Sequence, residues 1–126
     1  MEDFIREQTN KTPGIIFRAN GNLKISGRSI HENPEVFYEP IVEWVEEYVK
    51  HPEPKTVIDV SIEYFNSSSA KYVLSLLQTL TKLLQEEKEL LINWFYEEGD
   101  DDILERGQYY FSVLGVPFNF IETYPS

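Results

Sequence analysis

Apolar and polar residues follow two different rhythms along this chain. Ile58, Val60, Ile62 and Tyr64 alternate with Asp59, Ser61 and Glu63. Period two with β-branched residues predicts a strand buried on one face. Ala70, Val73, Leu76, Leu77, Leu80, Leu83 and Leu84 then recur at helical spacing, which predicts a long amphipathic helix. Between them lies Asn66-Ser67-Ser68-Ser69. Asn and Ser side chains accept hydrogen bonds from the unpaired N–H groups of a first helical turn, so this stretch reads as a cap.

The rest of the chain arranges itself around that pair. Residues 1–14 show no period and are expected to form a loose arm. Residues 15–18 and 22–26 read as strands joined by an Asn20-Gly21-Asn22 turn, and residues 27–33 read as a loop. Asn33-Pro34 places a cap before a proline at the first helical position. The helix it opens runs to about Lys50, with Phe37, Ile41, Trp44, Val45 and Tyr48 inward, and Pro40 predicts a local distortion. A strand over 89–96 presents Leu90, Ile92, Trp94 and Tyr96. A third helix carries Ile103, Leu104, Gly107, Tyr110, Phe111 and Leu114, and stops at Gly115. A short strand follows over 118–122.

The order β-β-α-β-α-β-α-β predicts an α/β fold with a mixed, mostly parallel sheet of about five strands. A sheet covered on both faces would have continuously apolar strands, whereas 58–64 alternates. Helices are therefore expected mainly on one face, with Lys24, Asp59, Ser61, Glu63 and Asn93 on the other. Ile58, Ile62, Tyr64, Leu77 and Trp94 should be buried, and Asp59 and Glu63 largely exposed.

Composition narrows the functional classes. The 126 residues, 41% hydrophobic, fit a single domain over 1–126 with a real core. There is no cysteine, hence no disulfide or thiolate chemistry. With 22 acids against 11 bases and a net charge of −11, neither nucleic acid nor an anionic membrane is an expected partner. A basic patch on a protein is a better match. The acidic start Met1-Glu2-Asp3-Phe4 does not resemble a secretion signal, so a cytoplasmic location is expected.

Catalytic signals are sparse. The two histidines, His31 and His51, have no nucleophile beside them, and there is no nucleophile elbow or phosphate loop. The run Glu97-Glu98-Gly99-Asp100-Asp101-Asp102 offers oxygen ligands, so a small metal-dependent hydrolase is the enzymatic alternative. Acids in a first helical turn are equally explained by the helix dipole, and no metal or other cofactor is expected. The Asn66–Ser69 cap has a second possible use, because the same N–H groups and dipole would stabilise a phosphate on one of its hydroxyls.

Several stretches together resemble the SiaC family of bacterial regulatory phosphoproteins, which are similar in fold to STAS domains and anti-sigma-factor antagonists. They are Gly27-Arg28-Ser29-Ile30 with Glu32-Asn33-Pro34; Phe37-Tyr38 with Pro40; Trp44 with Tyr48; Tyr64 to Ser69 with Lys71; Trp94 with Tyr96-Glu97-Glu98; and Pro117-Phe118. The resemblance implies a STAS-like, non-enzymatic signalling domain. In such a protein a partner kinase phosphorylates, and a partner phosphatase dephosphorylates, a hydroxyl just after the helix-capping asparagine. It further implies an effector that depends on the phosphorylation state, in some members a diguanylate cyclase controlling cyclic-di-GMP and biofilm behaviour. By position the modified hydroxyl is Ser67, with Ser68 the alternative. Asn66, Ser67, Ser68, Ser69, Lys71 and Arg28 form the expected partner-binding set. The family usually has Thr where this chain has Ser67, and often Pro where it has His31.

Overall fold

The computed structural model describes residues 1–124. Six strands form one sheet in sequence order: β1 (Phe4–Arg6), β2 (Gly14–Phe17), β3 (Asn22–Ser29), β4 (Lys55–Phe65), β5 (Glu89–Glu97) and β6 (Phe118–Thr123). The first three are antiparallel, and β3 to β6 run parallel. The parallel strands are joined by α1 (Pro34–Tyr48), by α2 (Ser67–Leu80) with the one-turn α3 (Lys82–Gln85), and by α4 (Asp101–Leu114). Each crossover steps to the next strand in the same direction. Crossovers of one hand therefore put every helix on the same face, as the alternation in 58–64 anticipated.

The core lies between that face and the helices. Leu23, Ile25, Ile58, Val60, Ile62, Ile92 and Trp94 meet Ile41, Val45, Val73, Leu77 and Tyr110, all buried. On the other face Lys24, Asp59 and Asn93 stand side by side in register. The Asn93 amide donates to Asp59 Oδ1 at 2.8 Å, and the Asn119 amide donates to Asn93 Oδ1 at 3.1 Å. This ladder leaves Asp59 partly buried, not largely exposed as expected, while Glu63 is exposed.

Four further expectations are corrected. Tyr64 is 59% exposed and Phe65 is buried in its place. The pairing passes from Gly27–Ile62 directly to Arg28–Tyr64, leaving Glu63 unpaired. This bulge advances β4 by one residue and reverses which side chains face inward. The opening segment is not wholly loose, because Phe4–Arg6 pairs with β2 as an edge strand, making six strands rather than five. β3 runs on to Ser29, through residues 27–29 that read as loop, with Gly27 at φ +105°. Finally, α1 passes through Pro40 unbroken; the Val36 carbonyl left without an intrahelical donor belongs to a residue on the exposed side of the helix.

Candidate functional site

The junction between β4 and α2 is held from three directions. The Asn66 backbone N–H donates to the Ser29 carbonyl at 3.1 Å and its side-chain amide to the His31 carbonyl at 3.4 Å. Asn66 Oδ1 accepts from the Ser69 N–H at 2.9 Å, closing the cap the sequence indicated. From α4, the Tyr110 hydroxyl donates to the Ala70 carbonyl at 2.6 Å. From α1, Tyr38 stacks on Tyr72 at 5.2 Å and shares a 2.6 Å hydrogen bond with Ser29 Oγ. Burial pushes the Tyr38 and Tyr110 hydroxyls up from 10.0 to about 12, with the charge of Arg106 opposing the shift at Tyr110.

The three serines of the first turn differ sharply. Ser69 is fully buried, and its hydroxyl has no hydrogen-bond partner. Ser67 and Ser68 are both exposed but face different surroundings. Ser67 lines a cleft of about 700 Å³ running from the end of β4 to the first two turns of α4. Ser68 lines a separate groove of about 440 Å³, between α1 and α2, together with Lys71, Tyr72 and Glu35. Lys71 therefore keeps company with Ser68 rather than Ser67. Arg28 is paired with Glu63 at 3.5 Å, both side chains more than half exposed, an arrangement that adds little stability.

The cleft contains residues that sequence reasoning did not single out as functional. Tyr64 and Tyr109, about 60% exposed each, belong to its wall. Asp100, Asp102 and Glu105 make it acidic, and Arg106 is its one base. The Arg106 guanidinium lies 5.1 Å from the centre of the Phe65 ring and, among the described residues, makes no ion pair. The only available sequence signal was that 102, 105, 106 and 109 share the face of α4 opposite its apolar stripe. α4 can lie this close because Gly107 has no side chain: a Cβ there would sit 2.5 Å from Trp94 Nε1. The same indole N–H donates to the Ile103 carbonyl at 2.9 Å.

The acidic run does not converge. Asp100 caps α4 by accepting from the Ile103 N–H at 3.1 Å, and Asp101 and Asp102 occupy the first turn, where the dipole favours them. Among the described residues no three His, Asp or Glu side chains gather in a way that could hold a metal ion, and no helix is long and apolar enough to cross a membrane.

Fold and site together define a one-sided α/β domain that presents a capped helix end beside an acidic, tyrosine-walled cleft. Residues 6–123 match the family described as SiaC family regulatory phosphoprotein, and the chain belongs to that family. A protein of Pseudomonas aeruginosa (strain UCBPP-PA14), described as uncharacterized, is 25% identical over 120 residues, 94% of either chain. The crystal structure of apo-SiaC from Pseudomonas aeruginosa shares the fold with a TM-score of 0.87 at 24% identity, covering 96% of this chain and 99% of the other. A chain of the crystal structure of the diguanylate cyclase SiaD in complex with its activator SiaC, from the same organism, aligns with a TM-score of 0.88 at 23% identity. That match covers 96% of this chain and all of the other.

Proposed function

We propose that this protein is a non-enzymatic, cytoplasmic signalling switch whose partner depends on phosphorylation of Ser67. A partner kinase catalyses attack of Ser67 Oγ on the terminal phosphorus of a nucleoside triphosphate. The hydroxyl proton passes to a base and the diphosphate leaves. A partner phosphatase reverses the state by hydrolysis, releasing inorganic phosphate. The unmodified form docks on an effector through Asn66, Ser67, Ser68, Lys71 and Arg28; Ser69, in the same expected set, is buried and supports the turn from beneath. The effector is a diguanylate cyclase, as SiaD is for SiaC of Pseudomonas aeruginosa.

The observation that carries this reading is the exposure of Ser67 at the first position of a capped helix, on the wall of a cleft, with the alternative Ser68 exposed in a separate groove and Ser69 sealed in the core. Membership of a family of regulatory phosphoproteins supports it. A phosphoserine adds about −1.5 to −2 charges and three acceptor oxygens. The free N–H groups of the first turn tolerate that charge, so the fold need not change. A partner packed against the cleft would have to desolvate it, which disfavours docking unless the partner supplies cations.

The test is a binding titration of a diguanylate cyclase from the same genome against the unmodified protein and Ser67→Asp. The expected result is binding of the unmodified protein, weakened about tenfold or more in the variant, equivalent to about 1.4 kcal/mol. Equal binding of both forms, or of neither, contradicts the proposal.

A further inference from the structure

We propose that Arg106 receives the phosphate carried by Ser67, so that modification bridges α2 to α4 across the cleft between them. This rests on Ser67 as the modified hydroxyl and adds the residue that holds the modification.

Four observations carry the assignment. Ser67 and Arg106 line the same cleft, and no other base lines it. Arg106 is half-buried and makes no ion pair among the described residues, although acids line the same cleft. The Arg106 guanidinium, 5.1 Å from the Phe65 ring centre and beside the Tyr110 hydroxyl, is a planar fork of N–H donors, which suits a phosphate better than a point charge does. The cations nearer Ser67 in sequence or in earlier expectation are placed otherwise: Lys71 lines the groove of Ser68, and Arg28 is paired with Glu63.

The acids sharpen the requirement. Glu63, Asp100, Asp102 and Glu105 line the cleft with Ser67, so a phosphate there meets like charge and needs a cation of its own. The frame around Arg106 is fixed by Tyr110 on the Ala70 carbonyl, by Trp94 on the Ile103 carbonyl and by Gly107 against the indole. Capture of the phosphate therefore requires the Arg106 side chain to turn from the Phe65 ring, while α4 stays in place. The bridge then stands in the cleft that Tyr64 and Tyr109 also line.

The test installs phosphoserine at position 67 genetically, so that it does not depend on which hydroxyl a kinase selects. Phosphorus NMR follows the second phosphate ionisation in the otherwise native protein, Arg106→Gln, Arg106→Lys and Lys71→Gln. An adjacent cation lowers that pKa from its ordinary value of about 6. The expected result is a pKa lower by about half a unit or more in the native background than in Arg106→Gln. Lys71→Gln should leave the value unchanged, and Arg106→Lys should restore part of the shift. Equal values with and without Arg106, or a shift lost in Lys71→Gln instead, overturn the assignment. Phosphate mapped by the kinase to another residue would overturn the proposed function while leaving this measurement intact.

Discussion

The first turn of α2 has two unlike neighbourhoods. On its inner side nearly every polar group has one defined partner and the aromatic rings interlock: Asn66 on Ser29, His31 and Ser69, Tyr110 on Ala70, and Trp94 packed among Phe65, Tyr110 and Phe118. On its outer side Ser67, Tyr64, Tyr109 and the cleft acids are exposed, and Arg106 has no carboxylate partner among the described residues. The inner side fixes where the outer side stands. Charge can then change on the outer side without a change of fold. Substitutions beneath the turn should therefore cost stability, and substitutions above it should alter recognition.

The largest effect is expected at Trp94, which is 1% exposed. Trp94→Ala removes the ring on which Gly107 rests and should destabilise by about 3–5 kcal/mol, measured by denaturant unfolding. High pH attacks the same interior. In the unfolded chain Tyr38 and Tyr110 ionise near 10.0, but burial holds them neutral to about 12 in the folded protein. The folded state thus retains protons that the unfolded state has lost, and stability should fall between those two pH values. Tyrosinate absorbance followed alongside circular dichroism checks this: ionisation of these two side chains should coincide with unfolding.

Gly107→Ala is a subtler probe of the inner side. Alanine favours a helix by about 1 kcal/mol over glycine. Here its Cβ would strike the indole, and crowding of that kind costs about 1–3 kcal/mol. A net loss of melting temperature is expected, whereas a gain would mean that α4 does not depend on this close approach. At the boundary between the two sides, Asn66→Ala should cost about 1 kcal/mol through loss of the cap. The smallest effect is expected at Ser67→Ala, within about 0.5 kcal/mol, because its side chain neither caps the helix nor packs in the core.

The inner side was far more legible in the sequence than the outer. Strong periodicity marks β4, the inward positions of β5 and α2 as far as Leu80; past the break at Thr81, Leu84, expected in the same stripe, is exposed, and the Asn66 cap is readable from residue type alone. Tyr64 was misjudged because alternation was extended through a bulge at Glu63, a feature set by pairing with Gly27 and Arg28 on another strand. Phe4–Arg6 is too short to show a period, and its strand character comes from lying beside Phe17, Ile16 and Ile15. Arg106 and Tyr109 lie some 40 residues from Ser67. Their position on the polar face of α4 was readable, but their arrival in the cleft follows from tertiary packing through Gly107 and Trp94. Sequence likewise could not separate Ser67 from Ser68, since the distinction lies in which neighbouring helix each one faces.

Phosphosite mapping tests the account most directly. The protein and its Ser67→Ala variant are incubated with the cognate kinase and a nucleoside triphosphate, and the products are digested and analysed by mass spectrometry. The account predicts phosphate on Ser67 and an unmodified Ser67→Ala variant. Phosphate on Ser68 or elsewhere, with Ser67→Ala modified as fully as the native chain, would contradict it.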